Sequence, residues 1–298
     1  MCSSDLKWGE FFMKNIEIMY FSGSGNTEFV ARSLCRVFGE KGIEKVSTTR
    51  INSKLTGDIV FSEEVDLVIF AYPVYAFDAP SIMYSLARRL QSESGLRAGI
   101  LICPGDSTSY NFTAAENFAR KLKRKGFDVI REDFVVMPPN VFSRVSDCVA
   151  SRLFRKAEDR VVEIAEAYLG EKKRRLRPPL LANIISVPMK GKNIGDGIFG
   201  RAYRVDEEKC TKCGICVSEC PVSNISIRDS GETTFGWKCV MCMGCIMKCP
   251  EKAISHPLGF VTVERYDLYG LSDSKDKADC LPDKPKGYYM RLKKYLQE

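Results

Sequence analysis

The chain has 298 residues, 45% hydrophobic and 28% charged, with a formal net charge of +7. That length sets a prior of two domains with enough apolar residues to fill their cores. Its single histidine, His256, excludes two-histidine metal sites and zincin motifs and disfavours histidine acid–base catalysis. No apolar run reaches the length of a membrane span. Residues 171–203 hold 8 basic and 2 acidic side chains, so nearly all the positive excess lies in one short stretch. A nucleic-acid-binding domain would carry that charge on a folded face instead.

Residues 1–13 look foreign to the fold. Trp8-Gly9-Glu10 requires the purine-rich codon run TGG-GGN-GAR, of the kind that precedes a start codon. Translation is therefore expected to begin at Met13, with residues 1–12 a non-native extension. Residues 16–21 read as a buried first strand, and 28–41 as a helix through Val30, Leu34, Val37 and Phe38. Between them lies Ser22-Gly23-Ser24-Gly25-Asn26-Thr27. A Gly/Ser/Thr loop that joins a strand to a helix start gathers N–H groups and hydroxyls at the positive end of the helix dipole, which suits a phosphate. It has no lysine, so it is not a Walker loop, and it is not G-x-G-x-x-G. A monophosphate held by uncharged donors fits best.

Alternation continues, with strands at 46–51, 67–71, 99–103 and 129–136 and helices at 82–90, 112–125 and 149–169. Such alternation implies a parallel sheet covered on both faces, with ligands beyond the carboxyl ends of the strands. Two loops there carry aromatics. One is Tyr72-Pro73-Val74-Tyr75-Ala76-Phe77. The other is Pro104-Gly105-Asp106-Ser107-Thr108-Ser109-Tyr110-Asn111-Phe112. A flat ring is expected between them, stacked on Tyr75 or Phe77 and on Tyr110.

These residues resemble the flavodoxins. Tyr20, Ser22, Gly25, Thr27 and Ala31 fall in register with the flavodoxin fingerprint, and Met19 departs from it. Gly105-Asp106-Ser107 followed by Tyr110 is similar to the flavin-stacking loop, with the tyrosine one residue late. The resemblance covers residues 14–170. It implies FMN, with Ser22, Ser24, Asn26 and Thr27 on its phosphate, Gly23 and Gly25 shaping the loop, and Pro73, Val74, Tyr75, Phe77, Gly105, Asp106 and Tyr110 around the ring.

The connector, 171–202, is basic, then apolar, then Gly-rich. It is expected to pack between the domains with its lysines and arginines in water. Contact with an anionic membrane, or steering of an acidic partner, are the weaker readings.

Eight of the 13 cysteines then form two copies of C-x2-C-x2-C-x3-C-P. The first is Cys210, Cys213, Cys216 and Cys220. The second, Cys239, Cys242, Cys245 and Cys249, lies 29 residues on. In this run the cysteine before proline ligates the other cluster. One [4Fe-4S] cluster would take Cys210, Cys213, Cys216 and Cys249, and the other Cys239, Cys242, Cys245 and Cys220. Gly214 and Gly244 are expected to let the loop backbone approach the cluster. Zinc needs only one four-ligand site, and a disulfide framework suits a small secreted chain. Residues 203–256 resemble the bacterial two-cluster ferredoxins, which implies short strands at 225–227 and 233–237. His256 is expected at the surface. Cys2, Cys35, Cys103, Cys148 and Cys280 read as small fillers. The tail, 257–298, offers no motif, but 288–296 reads as a short docking helix.

The whole chain resembles the flavodoxin–ferredoxin fusion proteins of anaerobic bacteria. The expected fold is a flavodoxin-like, doubly wound, five-stranded parallel sheet followed by a small α+β ferredoxin-like domain. The expected function is cytoplasmic electron transfer between two [4Fe-4S] clusters and FMN, with protein redox partners and no nucleic acid. The alternative is a flavin-dependent reductase of a small organic acceptor, with Tyr75, Asp106 and Tyr110 near the substrate.

Overall fold

The computed structural model describes residues 13–92, 95–139, 145–182, 192–257 and 288–297. The expectation about residues 1–12 lies outside them.

Strands β1 (Asn15–Tyr20), β2 (Lys45–Arg50), β3 (Leu67–Pro73), β4 (Arg97–Cys103) and β5 (Asp128–Phe134) form one sheet in the order β2-β1-β3-β4-β5. Every pairing is parallel. This is the flavodoxin-like order, which reverses between β1 and β3 and so opens a crevice at their carboxyl ends. Helices α1 (Asn26–Glu40), α2 (Ser81–Arg89), α3 (Phe112–Arg124) and α4 (Asp147–Leu169) alternate with the strands.

A strand covered on both faces must be apolar on both, and β3 shows it: Leu67 to Tyr72 are fully buried. Alternate residues feed two cores. Ile16, Ile18, Leu34, Phe38, Leu153 and Phe154 pack on the α1/α4 side, while Met19, Phe70, Tyr72, Met83 and Phe118 pack on the α2/α3 side. Each such aromatic or aliphatic burial contributes about 1.5–3 kcal/mol. Ser146 caps α4, its Oγ accepting from Val149 N–H at 3.3 Å, with Asp147 in the first turn.

The edge strand β5 places Arg131, Glu132 and Asp133 in the interior. Arg131 grips Asp133 through Nε at 2.6 Å and Nη2 at 3.0 Å. The connector supplies the remaining partners. Arg174 reaches Asp133 at 3.0 Å, Arg175 reaches Glu132 at 3.0 Å, and Leu176 N–H donates to Glu132 Oε2 at 2.9 Å. The connector was expected to leave its arginines in water. Instead, Arg174 and Arg175 neutralise two buried carboxylates, while the chain covers the open edge of the sheet.

The second unit begins after α5 (Lys192–Arg201). Strand β6 (Arg204–Val205) pairs antiparallel with β9 (Ile254–Ser255), and β7 (Ile225–Ile227) with β8 (Thr233–Phe235). Helices α6 (Ile215–Ser218) and α7 (Gly244–Lys248) carry the third cysteine of each repeat, Cys216 and Cys245. The duplication is written in the backbone. Left-handed φ angles occur at Lys212 and Met241, at Gly214 and Met243, and at Ser223 and Lys252, each pair 29 residues apart.

Helix α8 (Tyr288–Gln297) docks on the first unit through Leu292 and Tyr295, whose Oη accepts from Val136 N–H at 3.2 Å. His256 is not at the surface. It is 3% exposed, its Nε2 lies 3.1 Å from the Phe199 carbonyl, and its ring meets Tyr203, because β9 turns it inward under α5. Among the described residues no helix is long and apolar enough to cross a membrane.

Candidate functional site

Two small cavities in the second unit gather the cysteines in fours. The first is lined by Cys210, Cys213, Cys216 and Cys249. The second is lined by Cys239, Cys242, Cys245 and Cys220. Each takes three cysteines from one repeat and the pre-proline cysteine from the other. Among the described residues no three His, Cys, Asp or Glu converge on a point where one metal ion would bind. A cubane does not require that, since its four thiolates bind different irons.

Local backbone explains the gathering. Gly214 caps α6 with φ 73°, and Met243 caps α7 with φ 58°. The repeat thus sets a left-handed residue before each helix, but Met243, not Gly244, fills that place in the second copy. Met243 is held there by burial and by Tyr203 Oη, which donates to its sulfur at 3.2 Å. Backbone N–H groups point at sulfur. Asn224 donates to Cys220 at 3.1 Å, Ala253 to Cys249 at 3.3 Å, and Met241 to Cys239 at 3.3 Å. Such bonds tune a bound cluster's potential. Burial pushes the Cys242 thiol up to about 11 and raises Cys245 well above its ordinary value, with neighbouring cysteines adding to both. A metal cluster bound by these thiolates would displace their protons. Cys213, by contrast, is exposed.

The loop after β1 approaches the second cavity. Gly25 is left-handed at φ 107° and donates to Ser22 Oγ at 3.1 Å. Asn26 Nδ2 donates to the Pro138 carbonyl at 2.8 Å, which pins the start of α1 to the segment after β5. Thr27 Oγ1 and Asn26 Oδ1 are buried without a hydrogen-bond partner. The threonine hydroxyl can donate to a phosphate oxygen. The asparagine oxygen is an acceptor and its Nδ2 is taken by Pro138, so Asn26 adds no side-chain donor to a phosphate. Ser24 stands half-exposed beside them.

The two aromatic loops are more constrained. Tyr75 and Asp78 exchange backbone hydrogen bonds at 2.9 and 3.1 Å across Ala76 and Phe77, both left-handed. Two non-glycine residues in that region cost about 1–2 kcal/mol each, a strain that marks functional loops. Tyr75 packs edge-on against Phe21, and Val74 against the α2/α3 core. Pro73 ends β3 opposite Cys103. The Phe77 and Tyr110 rings touch, with centroids 6.0 Å apart. A flat ring between them would need about 7 Å, twice the contact distance, so the expected stack between Phe77 and Tyr110 has no gap here. Asp106 is committed to its own loop, accepting from Asn111 Nδ2 at 2.7 Å and Thr108 N–H at 3.0 Å. Helix α8 braces that loop: Tyr288 Oη donates to the Gly105 carbonyl at 2.8 Å, and Arg291 pairs with Asp106 at 3.2 Å.

Sequence reasoning missed how the units meet. A side chain at Gly23 would collide with Cys242, and one at Gly244 would sit 3.1 Å from the Gly23 carbonyl. Arg50 at the end of β2 pairs with Glu219 at 2.9 Å, and Lys248 pairs with the same carboxylate. Ser53 and Ser223 hydroxyls lie 2.7 Å apart. One signal was available: the 29-residue shift maps Gly244 onto Ile215, so the repeat itself does not require glycine there.

Of the remaining cysteines, Cys35 and Cys103 are free, and burial pushes the Cys103 thiol up to about 12. Cys148 is disulfide-bonded rather than a free filler, and sits half-buried in the first turn of α4. Cys2 and Cys280 lie outside the described residues.

Residues 202–250 match the family model of the 4Fe-4S dicluster domain. No curated protein matches the chain. Among solved structures, Streptococcus pneumonia TIGR4 flavodoxin is 18% identical, with 51% of this chain and 95% of that one covered and a TM-score of 0.37. Oxidised flavodoxin 1 from Bacillus cereus is 16% identical, with 52% and 97% covered and a TM-score of 0.40. The flavodoxin-like fold of the first unit rests on the strand order, not on these scores. A flavodoxin-like unit followed by a 4Fe-4S unit fits a flavodoxin–ferredoxin fusion and supports an electron-transfer role.

Proposed function

We propose that this chain passes electrons between two [4Fe-4S] clusters in the unit 203–256 and an FMN in the unit 14–170. The observation that carries the reading is the seating of Cys242 and Gly244 on Gly23, which brings one cysteine cavity against the candidate phosphate loop. Cys210, Cys213, Cys216 and Cys249 would hold one cluster, and Cys239, Cys242, Cys245 and Cys220 the other. Clusters exchange single electrons and a flavin one or two, so the groups themselves supply the chemistry.

The chain's own residues position and insulate. Ser22, Ser24 and Thr27 offer donors to a phosphate at the start of α1, and Gly23 and Gly25 bring its backbone close. The Arg50–Glu219–Lys248 contact fixes the second unit on the first, so donor and acceptor meet at high effective concentration. Cys213 at the exposed rim is the face offered to a protein partner.

The reductase reading is weaker. Of the residues it would use, Asp106 is bound by Asn111, Thr108 and Arg291, and Tyr75 packs on Phe21. We place the protein in the cytoplasm. The Cys148 disulfide pulls toward an oxidising setting, and eight thiols that must stay reduced to hold iron outweigh it. Anaerobic purification of the full chain with cofactor analysis tests the proposal. It expects about eight irons and one FMN per chain. Absence of bound flavin, or iron near zero, would overturn it.

A further inference from the structure

A cleft of about 640 Å³ opens between the two units, away from the loop at Ser22–Thr27. Its size falls in the range of roughly 300–1,000 Å³ that holds small ligands, and such sites favour domain interfaces. One wall is the loop after β2, another the outer side of α2, and the floor is formed by Val222, Cys239 and Val240. The charged residues lining it are all cationic: Arg88, Arg89 and Lys238. Arg89 is held in place by Nε, which donates to the Gly57 carbonyl at 2.7 Å, while its Nη2 is buried with no partner. Arg88 and Lys238 are exposed, so their charged ends are the ones open to an anion in the cleft.

The rim adds a flat surface. Trp237 is 61% exposed, which is unusual for so large an apolar side chain. Its ring is fixed by the Arg201 guanidinium, 4.6 Å from the centroid. The backbone at Lys238 is pinned too, its N–H donating to Asn224 Oδ1 at 2.6 Å. An indole and three cations thus stand around one concavity whose floor is apolar.

We infer that this cleft binds a planar organic anion, an aromatic carboxylate, with its ring against Trp237 and Val222 and its carboxylate on Arg88 and Lys238. The bound molecule would lie beside Cys239, at the edge of the second cysteine cavity. Only that last placement rests on the proposed electron-transfer function; the binding itself does not.

Calorimetric titration of the anaerobically purified full chain with naphthoate tests it. Saturable binding at one site per chain is expected, with naphthylmethylammonium not binding. The double variant Arg88→Ala and Lys238→Ala should weaken naphthoate by roughly ten-fold or more, and Trp237→Ala should weaken it as well. Iron content, measured on each sample, reports whether the variants fold and whether the cluster assignment holds, independently of the titration. No saturable binding of naphthoate, equal binding of the cationic twin, or unchanged affinity in a double variant with full iron content would overturn the inference.

Discussion

Gly23 and Cys242 touch across the boundary between the two units: a Cβ placed on Gly23 would stand 2.1 Å from the Cys242 carbonyl oxygen. The phosphate-type loop and the second cysteine loop are therefore built against each other, and Gly23 cannot carry a side chain without displacing the Cys242 loop.

Gly23→Val should open this contact. Relieving an overpacked site costs about 1–3 kcal/mol. Amide exchange at residues 244–248 should accelerate, while iron content stays at the wild-type value. Unchanged exchange would mean that the contact contributes nothing to holding the units together.

The crossed ligand sets can be separated by pairs of substitutions. Cys210→Ala with Cys249→Ala strikes one cavity twice and should leave about four irons per chain. Cys210→Ala with Cys220→Ala strikes both cavities and should leave almost none. If each repeat instead held its own cluster, the two results would exchange.

Replacing Ser22 and Thr27 with alanine removes a hydroxyl that shapes the loop and a buried one that lacks a partner. Flavin should be lost from the purified chain with iron unaffected, as read by absorbance and metal analysis. Full flavin occupancy would move the phosphate elsewhere.

The β5 carboxylates make a stability prediction. Asp133 has no solvent exposure and is bound by Arg131 and Arg174. Asp133→Ala leaves the buried Arg131 guanidinium uncompensated and should cost about 3–5 kcal/mol in urea denaturation. Arg174→Ala, at a side chain 36% exposed, should cost clearly less. Equal losses would contradict the buried-network reading.

Cys103 makes stability fall at high pH. Its thiol is raised from an ordinary 9.0 to about 12 by burial, so between those values the unfolded chain releases a proton that the folded chain keeps. Stability is then unaffected below pH 9 and declines by about 1.4 kcal/mol per pH unit above it, before other groups add. Native alkylation followed by mass spectrometry at pH 9 should leave Cys103 unmodified.

The first unit was legible because a buried parallel sheet leaves a plain pattern. The apolar run at Leu67–Pro73 and the turn at Ser22–Thr27 identify strand, crossover and ligand edge together. The cysteine spacing was legible because metal geometry allows few alternatives. The interior charges of β5 were not read, since their partners, Arg174 and Arg175, are 41 and 43 residues away from Asp133 and Glu132. The burial of His256 was missed for the same reason: it depends on α5 lying above it, and periodicity says nothing about how one unit closes over another. The cleft at Trp237 lay equally out of reach, being formed from the loop after β2, helix α2 and the segments at 221–222 and 237–240 only once the units meet.

Intramolecular electron transfer is the claim that matters most, and rapid mixing tests it. Chain loaded with clusters and flavin is mixed anaerobically with a one-electron reductant that reacts at the exposed Cys213 rim, and cluster and flavin absorbances are followed in time. The account predicts that clusters bleach first and the flavin follows at a rate independent of protein concentration, and that Gly23→Val slows only the second phase. A flavin phase that scales with protein concentration, or that is untouched by Gly23→Val, would contradict it.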